Sequence, residues 1–185
     1  EPRDAPAVGP SLVSDWLERY LTRSTLDITP FYERMAARRR AARPLDEIPG
    51  LDDALDVYRA NLTQLVAALG QLRPRPRVLL LTHAALWKPE MTDRERAVLW
   101  AGYTCMECPD PSYYAPHALA RALAAFNRET LSVCAASGVA CYDLEAQLPR
   151  TLDNFYDDAH LREAGARLVA RWVGEAIISQ GLLRR

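Results

Sequence analysis

Stretches with helical spacing of apolar residues alternate with short, unbroken apolar runs along most of the chain. Apolar residues recur every three or four positions over 52–72, 116–136 and 163–180, which predicts three amphipathic helices. The runs over 77–82 and 139–144 are wholly apolar or nearly so, which is typical of strands buried in a parallel sheet. This order predicts an α/β fold in which helices cover both faces of a parallel sheet.

Shorter helical signals lie outside this core pattern. Residues 11–22 carry apolar side chains at helical spacing, and Thr29 followed by Pro30 is a preferred helix start. Thr92 with Glu95 three residues later predicts a capping box at the start of another short helix. We expect one domain over 1–185, with 1–50 as a helical lead-in. Two strands make a narrow sheet, so we expect further strands to lie upstream or in another chain.

A basic run closes the helix that Pro30 opens. Arg38, Arg39 and Arg40 stand together at its end, with Arg43 following. Cations at a helix carboxyl end are favoured by the helix dipole, so a solvated helix end is our main interpretation. A binding surface for an acidic partner is the alternative.

Charge and hydropathy exclude two classes of partner. The formal net charge is -1, which gives no electrostatic basis for binding nucleic acid or an anionic membrane. No apolar run approaches the roughly 20 residues that span a bilayer. Both observations favour a soluble globular protein.

Four cysteines leave the compartment open. Cys105 and Cys108 form a C-x-x-C pair without the second pair or histidines that a zinc site needs. If they form a disulfide, the protein belongs in an oxidising, extracytoplasmic compartment. Cys134 and Cys141 flank a helix-to-strand turn, and we expect them to be small core residues.

The residues most suggestive of chemistry lie in 155–165. Asp157 and His160 form an Asp-x-x-His arrangement, so a tight turn could place the carboxylate against one imidazole nitrogen. The other nitrogen would then be free to act as a base, as in the acid–base half of a nucleophilic triad. Asp158 stands beside them. A third member, the nucleophile, is needed to complete such a site.

Several segments together resemble one enzyme family. They are Tyr58 and Asn61-Leu62 in a helix, Val78 to Thr82 in a strand, Gly138-Val139 with Asp143-Leu144 in the next strand, Leu148-Pro149, Phe155 to Leu161, and Gly165-Ala166. This ordered set, over about 52–180, resembles the carboxyl-terminal portion of SGNH (GDSL-type) hydrolases. The resemblance implies a flavodoxin-like, three-layer α/β/α fold with a mostly parallel sheet, incomplete in this chain.

The resemblance also implies residue roles. Asp157 would be the acid and His160 the base of a Ser-His-Asp triad. The family's Gly-Asp-Ser-like nucleophile block and its oxyanion Gly and Asn blocks do not occur in this sequence. We therefore expect an upstream segment or a companion chain to carry the nucleophile, and this chain alone to be inactive. No cofactor is implied.

These residues predict an acyl-ester hydrolase acting on a small acylated substrate, with an acetylated carbohydrate suggested by family analogy alone. The candidate substrate-binding residues are His83, Trp87, Tyr156 and Asp158, with Tyr103, Tyr113 and Tyr114 as further pocket candidates. One alternative is an O-acyltransferase of the same architecture. Another is a non-catalytic module that binds a glycan or a protein. The last is a metal site of Asp157, Asp158 and His160, joined by His83 or His117.

Overall fold

A computed structural model of the chain describes residues 29–104 and 112–183. In chain order the elements are α1 (Thr29–Ala41), β1 (Arg43–Leu45), α2 (Leu51–Gln71), β2 (Leu79–Leu81), α3 (Asp93–Ala97), β3 (Ser112–Tyr114), α4 (Pro116–Ser137), β4 (Ala140–Tyr142), α5 (Leu144–Gln147) and α6 (Glu163–Ser179). The helix predicted over 11–22 and the Cys105–Cys108 pair lie outside the described residues. Among the helices described, none is both long and apolar enough to cross a membrane.

The two predicted strands pair in parallel, so the chain is α/β as expected. In β2 and β4, Leu79 is opposite Ala140 and Leu81 is opposite Tyr142. The pairing continues beyond β2, because the Thr82 amide donates to the Tyr142 carbonyl at 3.2 Å. The carboxyl ends of both strands therefore meet at one edge, where ligands bind in open α/β sheets.

A second parallel pair was not predicted. Strand β1 pairs with β3, and Pro44 is opposite Tyr113. Each strand has three residues, which is too short for a recognisable alternation of apolar and polar positions. The pair attaches the end of α1 to the start of α4.

Aromatic packing joins the two longest helices. The Tyr58 ring of α2 meets the Phe126 ring of α4 edge-on, with centroids 5.1 Å apart. The Tyr58 hydroxyl also bonds the Thr130 hydroxyl at 2.8 Å, which satisfies a polar group inside the contact. Short side chains, four of them alanine, make up much of the buried surface of α4. At α3 the predicted capping box between Thr92 and Glu95 is confirmed.

Close packing fixes the start of α6 against the loop that precedes it. A Cβ atom on Gly165 would lie 2.4 Å from the Asn154 carbonyl oxygen, so no other residue fits there without a shift. The same carbonyl accepts the Arg162 amide at 2.8 Å. The histidine loop is therefore held directly on the first turn of α6.

The prediction that Cys134 and Cys141 are small core residues is wrong about their chemistry, because the structure joins them in a disulfide. Helix α4 ends at Gly138, whose φ of 67° is left-handed and reverses the chain. Strand β4 then returns beside the last turn of α4, with the two Cα atoms 6.1 Å apart. That distance is ordinary for a disulfide.

Removal of this disulfide should lower the free energy of unfolding. For the short loop between residues 134 and 141, the chain-entropy relation gives about 2–3 kcal/mol at 25 °C. The measurement is urea unfolding of the double variant Cys134→Ala/Cys141→Ala against the oxidised parent. Both cysteines fall in the tryptic peptide 129–150, separate from Cys105 and Cys108. If iodoacetamide alkylates that peptide without prior reduction, the disulfide is absent.

Candidate functional site

A short bridged loop presents the Asp-x-x-His residues. Phe155 and Leu161 form an isolated antiparallel bridge, and the Tyr156 amide donates to the His160 carbonyl at 3.1 Å. Phe155 is fully buried in the hydrophobic core, which anchors the base of the loop. The predicted tight turn is therefore present, closed at its base and packed from below.

Within this loop Asp157 and His160 make direct contact. His160 Nδ1 lies 2.8 Å from one carboxylate oxygen, Oδ2, and 3.0 Å from the other, Oδ1. Oδ1 also accepts the backbone amides of Ala159 at 3.0 Å and His160 at 2.8 Å. Three donors from its own turn thus hold a carboxylate that is only 2% exposed.

The electrostatics of the pair favour an ionised acid and a proton-accepting base. Burial by itself would raise the pKa of the Asp157 carboxyl, but the backbone amides of His160 and Ala159 and the His160 ring lower it further than burial raises it. The ionised carboxylate therefore accepts a hydrogen bond from Nδ1–H, and Nε2 is left as the basic nitrogen. The His160 side chain is 57% exposed, and Nε2 has no hydrogen-bond partner among the residues described.

Aromatic side chains surround the imidazole. The His160 ring is nearly parallel to the ring of Tyr156, at 5.4 Å and 12°, and to the ring of Trp100, at 6.5 Å and 15°. A cleft of about 350 Å³ opens here, lined by Phe31, Tyr32, Trp100, Tyr156, Asp157 and His160. The base therefore faces a small, mostly aromatic space.

Asp158 turns the opposite way from Asp157. Its carboxylate accepts the indole N–H of Trp87 at 2.8 Å and the backbone amides of Trp100 and Ala101 at 2.6 and 3.0 Å. The side chain is 1% exposed and faces the protein interior rather than the cleft. Its surroundings therefore differ from those of the substrate-binding residue we predicted, and match those of an anchor for the turn that carries Trp100.

Arg39 holds the same turn from the other side. Its guanidinium donates to the carbonyls of Leu99 at 2.5 Å and Ala101 at 2.7 Å, and lies over the rings of Tyr103 and Tyr113 at 5.3 and 5.4 Å. The prediction that the basic run is a solvated helix end is therefore wrong for Arg39, which is buried. A cation in the interior needs such partners, and a cluster of consecutive arginines does not show which one has them.

The remaining predicted residues are placed outside the cleft. His83 is exposed, and its backbone N–H and C=O bond the Asn127 side chain at 2.9 and 2.8 Å. Trp87 packs against the hydrophobic core. His117 pairs with Asp46 at 3.0 Å. Tyr114 lies in β3. Of the predicted site residues the structure thus brings together Tyr156, Asp157 and His160.

No metal centre is evident in the described part of the chain, where no group of three or more histidine, cysteine or acidic side chains could hold an ion. The three residues of the alternative metal hypothesis do not converge, because Asp158 is directed at the backbone amides of Trp100 and Ala101.

Three lining residues of the cleft were not predicted from the sequence: Phe31, Tyr32 and Trp100. Phe31 and Tyr32 are more than a hundred positions from His160, and no local spacing links them to it. For Trp100, the available signal was an aromatic residue at the end of the short helix predicted to begin at Thr92. Comparison with protein-family models, with curated proteins and with solved structures finds no match for this chain.

Substitution of Asp158→Asn should destabilise the protein by about 2–4 kcal/mol, because an amide cannot accept all three N–H groups and turns its own donors towards them. Urea unfolding monitored by tryptophan fluorescence measures the change. The control is Asp153→Asn, an exposed aspartate nearby, which should stay within about 0.5 kcal/mol of the parent. Equal effects of the two substitutions would contradict the anchoring role.

The lowered pKa of Asp157 makes stability depend on pH in a defined direction. A carboxylate with a depressed folded-state pKa contributes stability above its unfolded pKa of about 3.9 and loses it as the pH falls through the folded value. The stability difference between the parent and Asp157→Asn should therefore shrink as the pH is lowered from 6 towards 3. Chemical unfolding at several pH values measures it, with Asp153→Asn showing little such trend.

Proposed function

We propose that this chain carries the acid and base of an SGNH-type serine ester hydrolase, with a flavodoxin-like three-layer fold completed by strands outside it. One observation carries the proposal: a buried, ionised Asp157 grips one nitrogen of His160 while the other nitrogen faces an open cleft. A purely structural Asp–His pair has no need to leave its imidazole half exposed beside a small aromatic space. The ordered sequence segments of the SGNH resemblance support the same assignment.

In this proposal the serine comes from an upstream segment or a companion chain. His160 Nε2 takes the serine proton as the hydroxyl oxygen attacks the ester carbonyl, and the Asp157 carboxylate stabilises the imidazolium that forms. The imidazolium then protonates the leaving alcohol, which yields an acyl-enzyme. Water attacks that acyl group, with His160 taking the water proton and returning it to the serine. The products are a carboxylic acid and an alcohol.

The size and lining of the cleft support a small acyl group on an alcohol with an apolar or ring-shaped face. The cleft measures about 350 Å³, and four of its six lining residues are aromatic. Acetyl esters of carbohydrates fit this description. If the hydroxyl of a second substrate replaces water in the last step, the same serine, histidine and aspartate perform O-acyl transfer. An O-acyltransferase is therefore a variant of this proposal.

The second candidate function is a non-catalytic module that binds a glycan or a protein partner. The observation that favours it is the absence from this sequence of the nucleophile and oxyanion blocks of the family. One such oxyanion donor is worth about 3–4 kcal/mol of barrier, so a protein without them would bind but not turn over. The coding sequence upstream of Glu1 separates the two readings, because only the hydrolase requires a Gly-x-Ser after a strand and a later Gly-x-Asn.

The test uses the complete protein, meaning this chain together with the segment or companion chain that supplies the serine. In it, the substitution His160→Ala should lower kcat for a small aryl acetate by a factor on the order of 10⁴ to 10⁶, as expected when the base of a triad is removed. The same assay on the chain over 1–185 should show no turnover above buffer. His117→Ala is the matched control, because that histidine pairs with Asp46 on the surface.

The outcomes of this assay distinguish the readings. If the His160→Ala variant retains turnover, the assignment of His160 as the base of a triad is wrong. A complete protein that binds an acetylated oligosaccharide but never releases acetate, with or without His160, supports the binding module. Label transfer from a fluorophosphonate probe to a serine in the complete protein, reduced in His160→Ala, supports the hydrolase independently of the substrate.

A further inference from the structure

Helix α1, which lies outside the segments that resemble the hydrolase family, reaches into the candidate site. The Tyr32 hydroxyl donates to Asp157 Oδ2 at 3.3 Å across 125 positions of sequence. The same oxygen is bound by His160 Nδ1 at 2.8 Å. A side chain from the lead-in helix therefore touches the acid of the pair, although no sequence signal assigns it to the site.

We propose that Tyr32 is a positioning residue for the Asp157–His160 pair, and that α1 is part of the catalytic centre rather than a lead-in to it. The inference rests on the proposed roles of Asp157 and His160. Tyr32 touches no reacting atom in this scheme. It acts through the carboxylate, by fixing the oxygen that faces the imidazole and by sharing the negative charge on it.

The donors on the two carboxylate oxygens show why Tyr32 matters. Oδ1 is held by two backbone amides, those of Ala159 and His160, and is fixed by the turn itself. On Oδ2 the only donors within the described ranges are the His160 ring and Tyr32. Without the phenol, the strength of the Asp157–His160 bond would be set by the histidine alone.

The phenol is suited to donate over the whole physiological range. Burial, followed by the nearby Asp157 carboxylate, raises the pKa of Tyr32 to about 12, so the hydroxyl keeps its proton. The other ionisable groups that act on it are Tyr156 and Asp158. Asp158 is directed at the backbone amides of Trp100 and Ala101, and Tyr156 is parallel to the His160 ring. Neither supplies a second donor to Oδ2.

The position of Tyr32 is set by two contacts further along α1. The Met35 carbonyl accepts the Tyr103 hydroxyl at 2.8 Å, and Arg39 binds the carbonyls of Leu99 and Ala101. Residues 32, 35 and 39 are three and four positions apart and so share one face of the helix. These contacts fix α1 against the turn that carries Trp100 and so hold the Tyr32 hydroxyl next to Asp157.

The test is Tyr32→Phe in this chain, which removes the hydroxyl and keeps the ring. With one donor lost, the pKa of the Asp157 carboxyl should rise towards its ordinary value, measured by carbon-detected NMR titration. The His160 Nδ1–H resonance should move downfield, because Oδ2 becomes a stronger acceptor for it. The control is Tyr58→Phe, which removes a partly buried, hydrogen-bonded hydroxyl in the contact between α2 and α4, and it should leave both signals in place.

Three outcomes would overturn the proposal: both signals unchanged in Tyr32→Phe, the same shifts in Tyr58→Phe, or shifts of the opposite sign. Should Tyr32→Phe fail to fold, site-specific replacement of Tyr32 by 3-fluorotyrosine keeps the hydroxyl as a stronger donor. It should then lower the Asp157 pKa and move the Nδ1–H resonance upfield.

Kinetics of the complete protein give a second readout. Tyr32→Phe should reduce kcat roughly 2- to 10-fold, the range of one modest hydrogen bond, and leave KM unchanged because phenylalanine keeps the ring that lines the cleft. The NMR signals report on Tyr32 whether or not the protein turns over an ester. If the chain shows the NMR shifts but the complete protein has no esterase activity, the proposed function is refuted and the Tyr32–Asp157 interaction still stands.

Discussion

The structure around the site depends on one stretch of backbone, residues 99–101, which hydrogen-bonds two buried charges of opposite sign. Asp158 binds the amides of Trp100 and Ala101, and Arg39 binds the carbonyls of Leu99 and Ala101. Neither charge could be buried without donors or acceptors of this kind. Because the two charges bind the N–H and the C=O of the same Leu99–Trp100 peptide, each polarises the group that the other binds there. Helix α1, the Trp100 turn and the histidine loop are joined through this one arrangement.

The two adjacent aspartates of the histidine loop, Asp157 and Asp158, have different roles. Asp158 faces inward and holds the turn that carries Trp100, while Asp157 faces the cleft and holds His160. Both carboxylates are almost fully buried, so exposure alone would not separate them. Their partners do: Asp158 binds backbone and an indole, whereas Asp157 binds an ionisable ring that is itself half exposed. Only the second arrangement can pass a proton to and from a ligand.

The sequence predicted most of what depends on local patterns and little of what depends on contacts across the chain. The helices over 51–71, 116–137 and 163–179 and the parallel pairing of β2 with β4 follow from periodicity, and the Asp157–His160 contact follows from a three-residue spacing. The Cys134–Cys141 disulfide, the burial of Arg39 and the contact of Tyr32 with Asp157 do not, because each is set by where a distant or reversed segment returns. Trp87 and Asp158 were predicted to bind substrate, but their mutual hydrogen bond, which turns both inward, has no local signal.

The close approach of Gly165 to the Asn154 carbonyl has a mechanical consequence. With no space for even a methyl group, the loop and the first turn of α6 form a single rigid joint, and the far end of that helix is tied to the sheet by the Gln180 side chain on the Cys141 carbonyl. The loop that carries His160 is thus fixed to the seventeen-residue helix α6. In the proposed hydrolase the serine would therefore have to reach the imidazole at the correct spacing, because the loop that carries the histidine is fixed on the helix.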